Sequence, residues 1–199
     1  VKIFGLDPYE LDRNAINDYG LPKSWGGSMS LNHPLGVEPG TGRDILGRLM
    51  YGARVSLLIG AIGTFLTTFV GVVLGMIAGL RRGFVDALIG RVGDVALAFP
   101  SLLLTIALNR PLTQRLEDLG VPKGNTARIT YILLVFTVFG WVYMARLIRG
   151  QVLSLREREF IDAARSFGAS NRHIIFKELL PNLWPQIIVF VSLSLPGYV

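Results

Sequence analysis

Apolar segments separated by short polar ones make up most of the chain from residue 55 onward. Residues 55–80 contain no charged side chain, and segments at about 84–109 and 129–148 are also mainly apolar. At 1.5 Å per helical residue, each segment can cross the roughly 30 Å hydrocarbon core of a bilayer. A fourth apolar segment, residues 184–199, reaches the end of the sequence. The pattern predicts four membrane-spanning helices, with the last one truncated.

Two of the predicted spans carry residues that shape the apolar surface. Three glycines lie four residues apart in the first span: Gly71, Gly75 and Gly79. They share one helix face, so a neighbouring helix can approach closely there. The second span contains Arg91, Asp94 and Pro100, and the proline predicts a kink. Arg91 and Asp94 can pair; they either line a pathway or reach cytosolic water from the first half of the span.

Two polar segments precede the first span. Residues 1–42 are rich in Pro, Gly, Asp and Asn and show no periodicity, which predicts a loop region. Both a linker and a folded docking surface fit this composition. In residues 43–54, Ile45 and Leu49 form an apolar stripe with arginines elsewhere, which predicts an amphipathic helix at the membrane surface.

A charged segment, residues 150–183, separates the third and fourth predicted spans. It has too many ionisable side chains for hydrocarbon, where each central charge costs roughly 2.5 to 3.5 kcal/mol. Its first half has small and aromatic residues at helical spacing: Phe160, Ala163, Ala164 and Phe167. Gly168 suits the left-handed residue that ends a helix, and Pro181 is expected to stop a second short helix. The pattern predicts two short helices joined by a glycine bend outside the membrane.

Composition and charge place the chain in the membrane and orient it. The sequence is 51% hydrophobic and only 17% charged, which is typical of a membrane protein. Its net charge of +6 comes largely from arginines at the ends of apolar segments, so it does not indicate nucleic-acid binding. Residues 81–82 and 146–177 hold nine of the 20 lysines and arginines, clustered beside the apolar segments, and are therefore predicted to be cytosolic. Residues 1–42 and a loop expected at residues 110–128 would then be extracytoplasmic.

The sequence contains no recognisable catalytic or metal-binding pattern. It has no glycine-rich phosphate-binding loop followed by Lys and Ser or Thr, so the chain is not expected to bind ATP itself. His33 and His173 fall on opposite sides of the predicted membrane, without cysteines or paired carboxylates at ligand spacing. We therefore expect no catalytic residue, no metal site and no resident cofactor.

The charged segment resembles a loop of a known family. In order, it carries Asp162, Ala163, Ala164, Gly168, Glu178, Leu179, Leu180 and Pro181. This order resembles the EAA loop of permease subunits in binding-protein-dependent ABC importers, which has E-A-A, three residues, G, nine residues and I-x-L-P. Asp162 stands where Glu is usual, and Glu178 stands where an aliphatic residue is usual.

A second segment resembles one branch of the same permeases. Gly42, Arg43 and Asp44 precede the first span, as in the dipeptide and oligopeptide branch. Val37 and Glu38 replace the Thr and Asp that are usual in the turn before them.

The resemblance implies an all-α integral membrane protein, a multi-span helical bundle of the type I ABC importer permease kind that is incomplete at both ends. It implies a subunit that forms the translocation pathway for dipeptides or oligopeptides in the bacterial inner membrane. The implied partners are a homologous permease subunit, two ATPase subunits that hold ATP and Mg²⁺, and an extracytoplasmic solute-binding protein. ATP hydrolysis would belong to those partners, so this chain would not itself be an enzyme.

The resemblance also implies roles for particular residues. Coupling to the ATPase subunits through the loop at residues 156–181 would involve Glu159, Asp162, Ala163, Ala164, Phe167, Gly168, Leu180 and Pro181. The candidates for the pathway or for an intramembrane polar site are Arg91, Asp94 and Pro100.

Three alternatives stay open at this point. Permeases for nickel or other small solutes share the same core, so the substrate is not determined. A membrane scaffold whose amphipathic hairpin rests on lipid would have no ATPase partner. An integral-membrane enzyme would need catalytic residues outside this sequence.

Overall fold

The computed structural model describes residues 9–199, so the first eight residues of the expected loop region lie outside it. Within that range the chain is helical, and its only β pairings are isolated bridges. The framework helices are α1 (Ile45–Arg81), α2 (Phe84–Ala98), α3 (Ser101–Asp118), α4 (Asn125–Leu155), α5 (Glu159–Ser166) and α6 (Asn171–Tyr198). α1, α4 and α6 are each long and apolar enough to cross a membrane, and α2 with α3 makes a fourth candidate span. The expected all-α membrane bundle is confirmed.

The helices differ in length from the predicted spans. The amphipathic helix expected at residues 43–54 is the first part of α1, a single helix of 37 residues. α4 extends the span expected at residues 129–148 in both directions, to 31 residues. The span expected from residue 184 is part of α6, which begins at Asn171. Hydropathy marks the part of a helix that suits hydrocarbon, whereas its hydrogen bonding continues into polar sequence.

The second predicted span is broken rather than kinked. The axes of α2 and α3 are bent by 81°. Phe99, at the break, is extended with φ −85° and ψ 132°. Pro100 follows it, and a proline lacks the helical N–H and disfavours helical backbone at the preceding residue. α3 then continues to Asp118, so the loop expected at residues 110–128 shortens to residues 119–124.

The glycine stripe of α1 packs against α4. A Cβ added at Gly75 would lie 2.6 Å from the carbonyl oxygen of Ala145, and one at Gly79 would lie 2.7 Å from Val152 Cγ1. Gly71 makes the same kind of approach one turn earlier. The predicted close approach of a neighbouring helix is confirmed, and that helix is α4.

Side chains from α1, α4, α5 and α6 form the main buried cluster of residues 59–199. Its buried members are Val72, Met76, Met144, Ile148, Val152, Ile161, Ile174, Leu179, Leu183 and Ile187. The cluster therefore includes both membrane helices and the segment that links α4 to α6.

Residues 9–58 form a separate compact unit, made mostly of turns before the start of α1. Short helical turns occur at Arg13–Ala15 and Trp25–Ser28. Antiparallel bridges join Leu11 with Arg43 and Val37 with Asp44. Val37 is buried, so the described part of the expected loop region is folded.

His33 lies at the centre of a hydrogen-bond network in this unit. Its Nδ1 is 2.9 Å from Asp44 Oδ2, and its Nε2 is 3.2 Å from Asp12 Oδ2. Asp44 is buried, and its Oδ1 accepts a hydrogen bond from the Gly47 N–H at 2.5 Å. Burial disfavours the charged imidazole, but hydrogen bonds and charges from Asp44 and Asp12 outweigh it and raise the pKa of His33. The hydrogen bond with His33 lowers the pKa of Asp12.

We expect residues 9–58 to lose stability as the pH rises above about 6.5 and through the raised pKa of His33. The pKa of His33 in the folded state lies above its ordinary value of 6.5. The contribution of His33 to the stability of this unit is therefore complete below pH 6.5, and it is lost as the pH rises through the pKa of His33 in the folded state. Amide hydrogen exchange at Val37 and Ile45, corrected for the intrinsic rate, should show protection falling severalfold over this range. The His33→Gln variant should show a flat profile, and an unchanged pH dependence in that variant would contradict the role of His33.

Candidate functional site

The candidate site is α5 with the residues that flank it, in the segment that links α4 to α6. Arg158 is extended and precedes the helix. Glu159 and Asp162 lie in the first turn of α5, and Arg165 lies in the last turn. Charges in these positions stabilise a helix through its dipole, typically by about 0.3–1 kcal/mol each. The local sequence therefore favours a short helix here.

Ile161 anchors α5 in the bundle. Its side chain is 0% exposed and packs in the main buried cluster with Val152 of α4 and with Ile174 and Leu179 of α6. The helical spacing of Phe160, Ala163, Ala164 and Phe167 does not point to this residue. The available signal was that Ile161 is the only branched aliphatic residue in Glu159–Ser166.

Away from Ile161, α5 and the residue after it expose apolar side chains together with polar ones such as Glu159 and Ser166. Phe167 is 92% exposed and Phe160 is 38% exposed. Ala163 is also exposed, and Ala164, one turn from Ile161, is half-buried. The four residues that periodicity grouped together thus lie mainly away from the bundle. Exposed apolar groups of this kind commonly mark a contact with another protein.

Gly168 ends α5 in a Schellman arrangement. Its N–H donates to the Arg165 carbonyl at 2.9 Å, and the Ala169 N–H donates to the Ala164 carbonyl at 3.0 Å. The φ of Gly168 is +81°, a conformation that residues with a side chain rarely adopt. An added Cβ would meet no atom within 4 Å, so backbone conformation rather than crowding requires glycine here.

α6 continues through Pro181, where the sequence predicted the end of a short helix. The residues before it, Ile174–Leu179, are π-helical, and the Leu180 N–H donates to the Ile175 carbonyl five residues earlier. This wider hydrogen-bond pattern accommodates the missing N–H of proline without ending the helix. Leu180 is half-buried.

Glu178, which departs from the loop pattern, does not enter the core. Its Oε1 lies 3.6 Å from His173 Nε2, and its backbone carbonyl accepts a hydrogen bond from Asn182 Nδ2 at 2.6 Å. Leu179, the next residue, occupies the buried position. The π-helical segment therefore packs without placing a carboxylate among apolar side chains.

A cavity of about 870 Å³ is lined by residues of α2, α3, α4 and α6. Aromatic side chains form much of its wall: Phe99, Phe136, Phe139, Tyr143, Phe190 and Tyr198. Among the described residues that line it, none is Asp, Glu, Lys, Arg or His. Pro100 lies in the wall, so the break between α2 and α3 shapes this cavity.

Arg91 and Asp94 do not line the cavity and do not pair with each other. Asp94 binds Arg146 of α4, with 2.6 Å between Oδ1 and Nη2. Gly93 allows this pairing, because an added Cβ there would lie 2.9 Å from Val142, one turn before Arg146. Arg91 is exposed and makes no side-chain ion pair within residues 9–199.

Comparison with known proteins gives matches over most of the chain. Residues 71–199 match the family described as binding-protein-dependent transport system inner membrane component. The dipeptide transport system permease protein DppC of Bacillus subtilis (strain 168) is 34% identical over 192 residues, covering 96% of this chain and 54% of that protein. The oligopeptide transport system permease protein OppC of the same strain is 36% identical over 167 residues, covering 84% of this chain and 50% of that protein. DppC of Alkalihalophilus pseudofirmus is 41% identical over 165 residues, covering 83% of this chain and 50% of that protein.

The chain spans about half the length of the curated relatives it matches. The family match begins within α1 and covers α2 to α6, so it contains both the loop around α5 and the aromatic cavity. The chain therefore belongs to the family of inner membrane components of binding-protein-dependent transport systems.

Proposed function

We propose that the whole protein is a multi-pass subunit of an ATP-driven ABC importer for dipeptides or oligopeptides in the bacterial inner membrane. The observation that carries this proposal is the two-sided packing of α5. The side chain of Ile161 is buried in the membrane bundle, whereas the side chains of Phe167 and Phe160 are exposed. A helix built in this way can pass movement from an external partner to the bundle.

The partner of the exposed face is an ATPase subunit on the cytosolic side. ATP and Mg²⁺ bind to two such subunits, since this sequence has no phosphate-binding loop. A homologous permease completes the pathway, and a solute-binding protein delivers the peptide from outside. Closure of the ATPase pair moves the α5 helices and shifts the bundle between inward-facing and outward-facing states.

The coupling role is supported in different ways by five further residues: Glu159, Asp162, Gly168, Leu180 and Pro181. The two carboxylates lie in the first turn of α5. Gly168 provides the bend that positions Phe167. Leu180 and Pro181 join the π-helical segment to the apolar part of α6.

The aromatic cavity is this subunit's part of the translocation pathway. Its described wall has no carboxylate or imidazole to hold a nickel ion, which favours a peptide over a metal cation as the substrate. The same lack of charge suits passage of peptides with different side chains. Selection among peptides is then left to the solute-binding protein.

A lipid-resting scaffold is the second candidate function, and the charge of α5 disfavours it. Glu159 and Asp162 are both exposed, and Arg165 pairs with Asp162. An anionic inner leaflet attracts basic helices, and α5 is not basic. A protein surface is the better partner for this face.

The proposal predicts that a cysteine at Ala163 crosslinks to a copurifying ATPase subunit. The 199 residues contain no cysteine, so a single introduced thiol within them is unambiguous. The full-length protein would be purified from its own membranes in mild detergent, with associated chains identified by mass spectrometry. Lys123→Cys, also exposed but in the loop between α3 and α4, is the control and should not crosslink. Absence of an ATPase from repeated preparations, or equal crosslinking at both positions, would reject the proposed function.

A further inference from the structure

The turn between α1 and α2 is held by the chain that leads into α5. We call residues 79–86 the α1–α2 turn. Arg82 and Gly83 both have positive φ, +46° and +65°, so the chain reverses within two residues. Such a tight reversal brings the last turn of α1 and the first turn of α2 side by side.

Three side chains bind this turn, one from the last two turns of α4 and two from the residues just after it. Arg149 makes a bidentate pair with Asp86, at 2.5 Å from Nε to Oδ1 and 2.6 Å from Nη2 to Oδ2. Arg156 Nη1 donates to the Gly79 carbonyl at 3.1 Å. Glu157 Oε1 accepts from Arg82 Nη2 at 2.8 Å. α5 begins at Glu159, so the contacts of Arg156 and Glu157 lie next to the coupling helix, whereas that of Arg149 comes from α4 itself.

The contacts differ in strength. A bidentate arginine–carboxylate pair fixes both distance and orientation, and the Asp86 side chain is only 17% exposed. Arg156 satisfies a carbonyl at the C-terminal end of α1, where the helix leaves carbonyls free and favours a cation. The pair of Arg82 and Glu157 is more than half exposed on both sides, so it adds little.

The far end of α2 lies at the aromatic cavity. Ala96 and Leu97, in its last turn, line the wall together with Phe99 and Pro100. One helix therefore joins the clamped turn at its beginning to the candidate pathway at its end. A displacement of the end of α4 together with the start of α5 reaches α2 through the pair of Arg149 and Asp86, because a packed helix moves as a unit.

We infer that Arg149 and Arg156 are positioning residues that transmit movement of α5 to α2 and thereby to the pathway. Arg149 holds the start of α2, and Arg156 holds the end of α1. This inference rests on the proposed function, because it assigns the route by which the ATPase acts on the cavity. The route is separate from the exposed face of α5, which contacts the ATPase.

The test uses the complete importer, with its full-length chains and solute-binding protein, reconstituted in liposomes. Peptide uptake and ATP hydrolysis are measured together. Arg156→Gln and the double variant Asp86→Asn/Arg149→Gln should lower the peptide transported per ATP about fivefold or more, within the usual range of coupling between sites. The double variant should assemble like the wild type, because it leaves no unpaired charge. Arg156→Gln should also assemble, because Arg156 binds a backbone carbonyl and not a carboxylate. Arg156→Lys should retain most of the coupling, because an ammonium can still donate to the carbonyl.

Arg91→Gln is the matched control, because Arg91 is an exposed arginine of α2 without an ion pair in residues 9–199. It should transport like the wild type. If the pair of Asp86 and Arg149 only stabilises the fold, the double variant will assemble and will also transport as much peptide per ATP as the wild type. That result overturns the inference. Normal transport per ATP in Arg156→Gln also overturns it. A wild-type importer that lacks an ATPase or takes up no peptide would instead reject the proposed function.

Discussion

Leucine at Gly75 is expected to prevent α1 from packing against α4 and to remove most of the correctly folded protein. A Cβ at this position would lie 2.6 Å from the Ala145 carbonyl oxygen and 2.8 Å from Ile148 Cβ. Both atoms belong to α4, and the nearer one is backbone, so only a shift of the helix can relieve the overlap. Overpacking typically costs about 1–3 kcal/mol, and the leucine side chain extends well beyond its Cβ.

The alanine variant separates packing from helix propensity. Alanine favours a helix over glycine by about 1 kcal/mol, so Gly75→Ala would stabilise an unpacked helix. Here it should lower the apparent melting temperature in mild detergent, because crowding against α4 outweighs propensity. Gly150→Ala in α4 is the control, since a Cβ there meets no atom within 4 Å, and its stability should be unchanged or higher. Wild-type yield and melting temperature for Gly75→Leu would show that the helices are not in close contact.

Valine at Gly168 is expected to reduce peptide uptake per ATP more than tenfold in the complete importer, while the protein still inserts in the membrane. The φ of +81° costs an L residue roughly 1–2 kcal/mol, and a β-branched side chain is among the least tolerant. The strain is relieved when the end of α5 changes conformation, which moves Phe167 out of position. The loss should therefore appear in coupling rather than in insertion. Uptake and hydrolysis in liposomes measure it.

Asparagine at the same position is the matched variant. It tolerates the left-handed region better than other residues with a side chain, so Gly168→Asn should keep most of the uptake. The space around Gly168 is open, so size alone should have little effect. Equal losses in the valine and asparagine variants would show that the backbone conformation is not what matters. Normal uptake with valine would remove Gly168 from the coupling role.

The fold and the candidate site were predictable to different degrees. Hydropathy located the spans, and the spacing of Gly71, Gly75 and Gly79 correctly indicated a close helix contact. The loop pattern led to the family that the comparison found. Periodicity also placed a helix at α5, but it did not show which face of that helix meets the bundle.

The misjudged details depended on neighbours in space. Arg91 and Asp94 are close in sequence, yet Asp94 pairs with Arg146 of α4, which lies 52 residues later in the chain. Pro181 would end an isolated helix, but a π-helical segment carries α6 past it. Sequence spacing describes one helix at a time, and these outcomes involve two helices or a changed hydrogen-bond pattern.

Composition and hydropathy alone were sufficient to establish a helical membrane protein with several candidate spans. Transfer into hydrocarbon is nearly a sum over residues, and backbone groups in a membrane must be satisfied within a helix, so these properties follow from the sequence. The tertiary structure decided that Ile161 turns inward, that Phe167 turns outward and that Arg149 reaches Asp86. Each of these depends on the rotation and separation of packed helices. Those quantities are set by contacts between distant parts of the chain, which no local pattern contains.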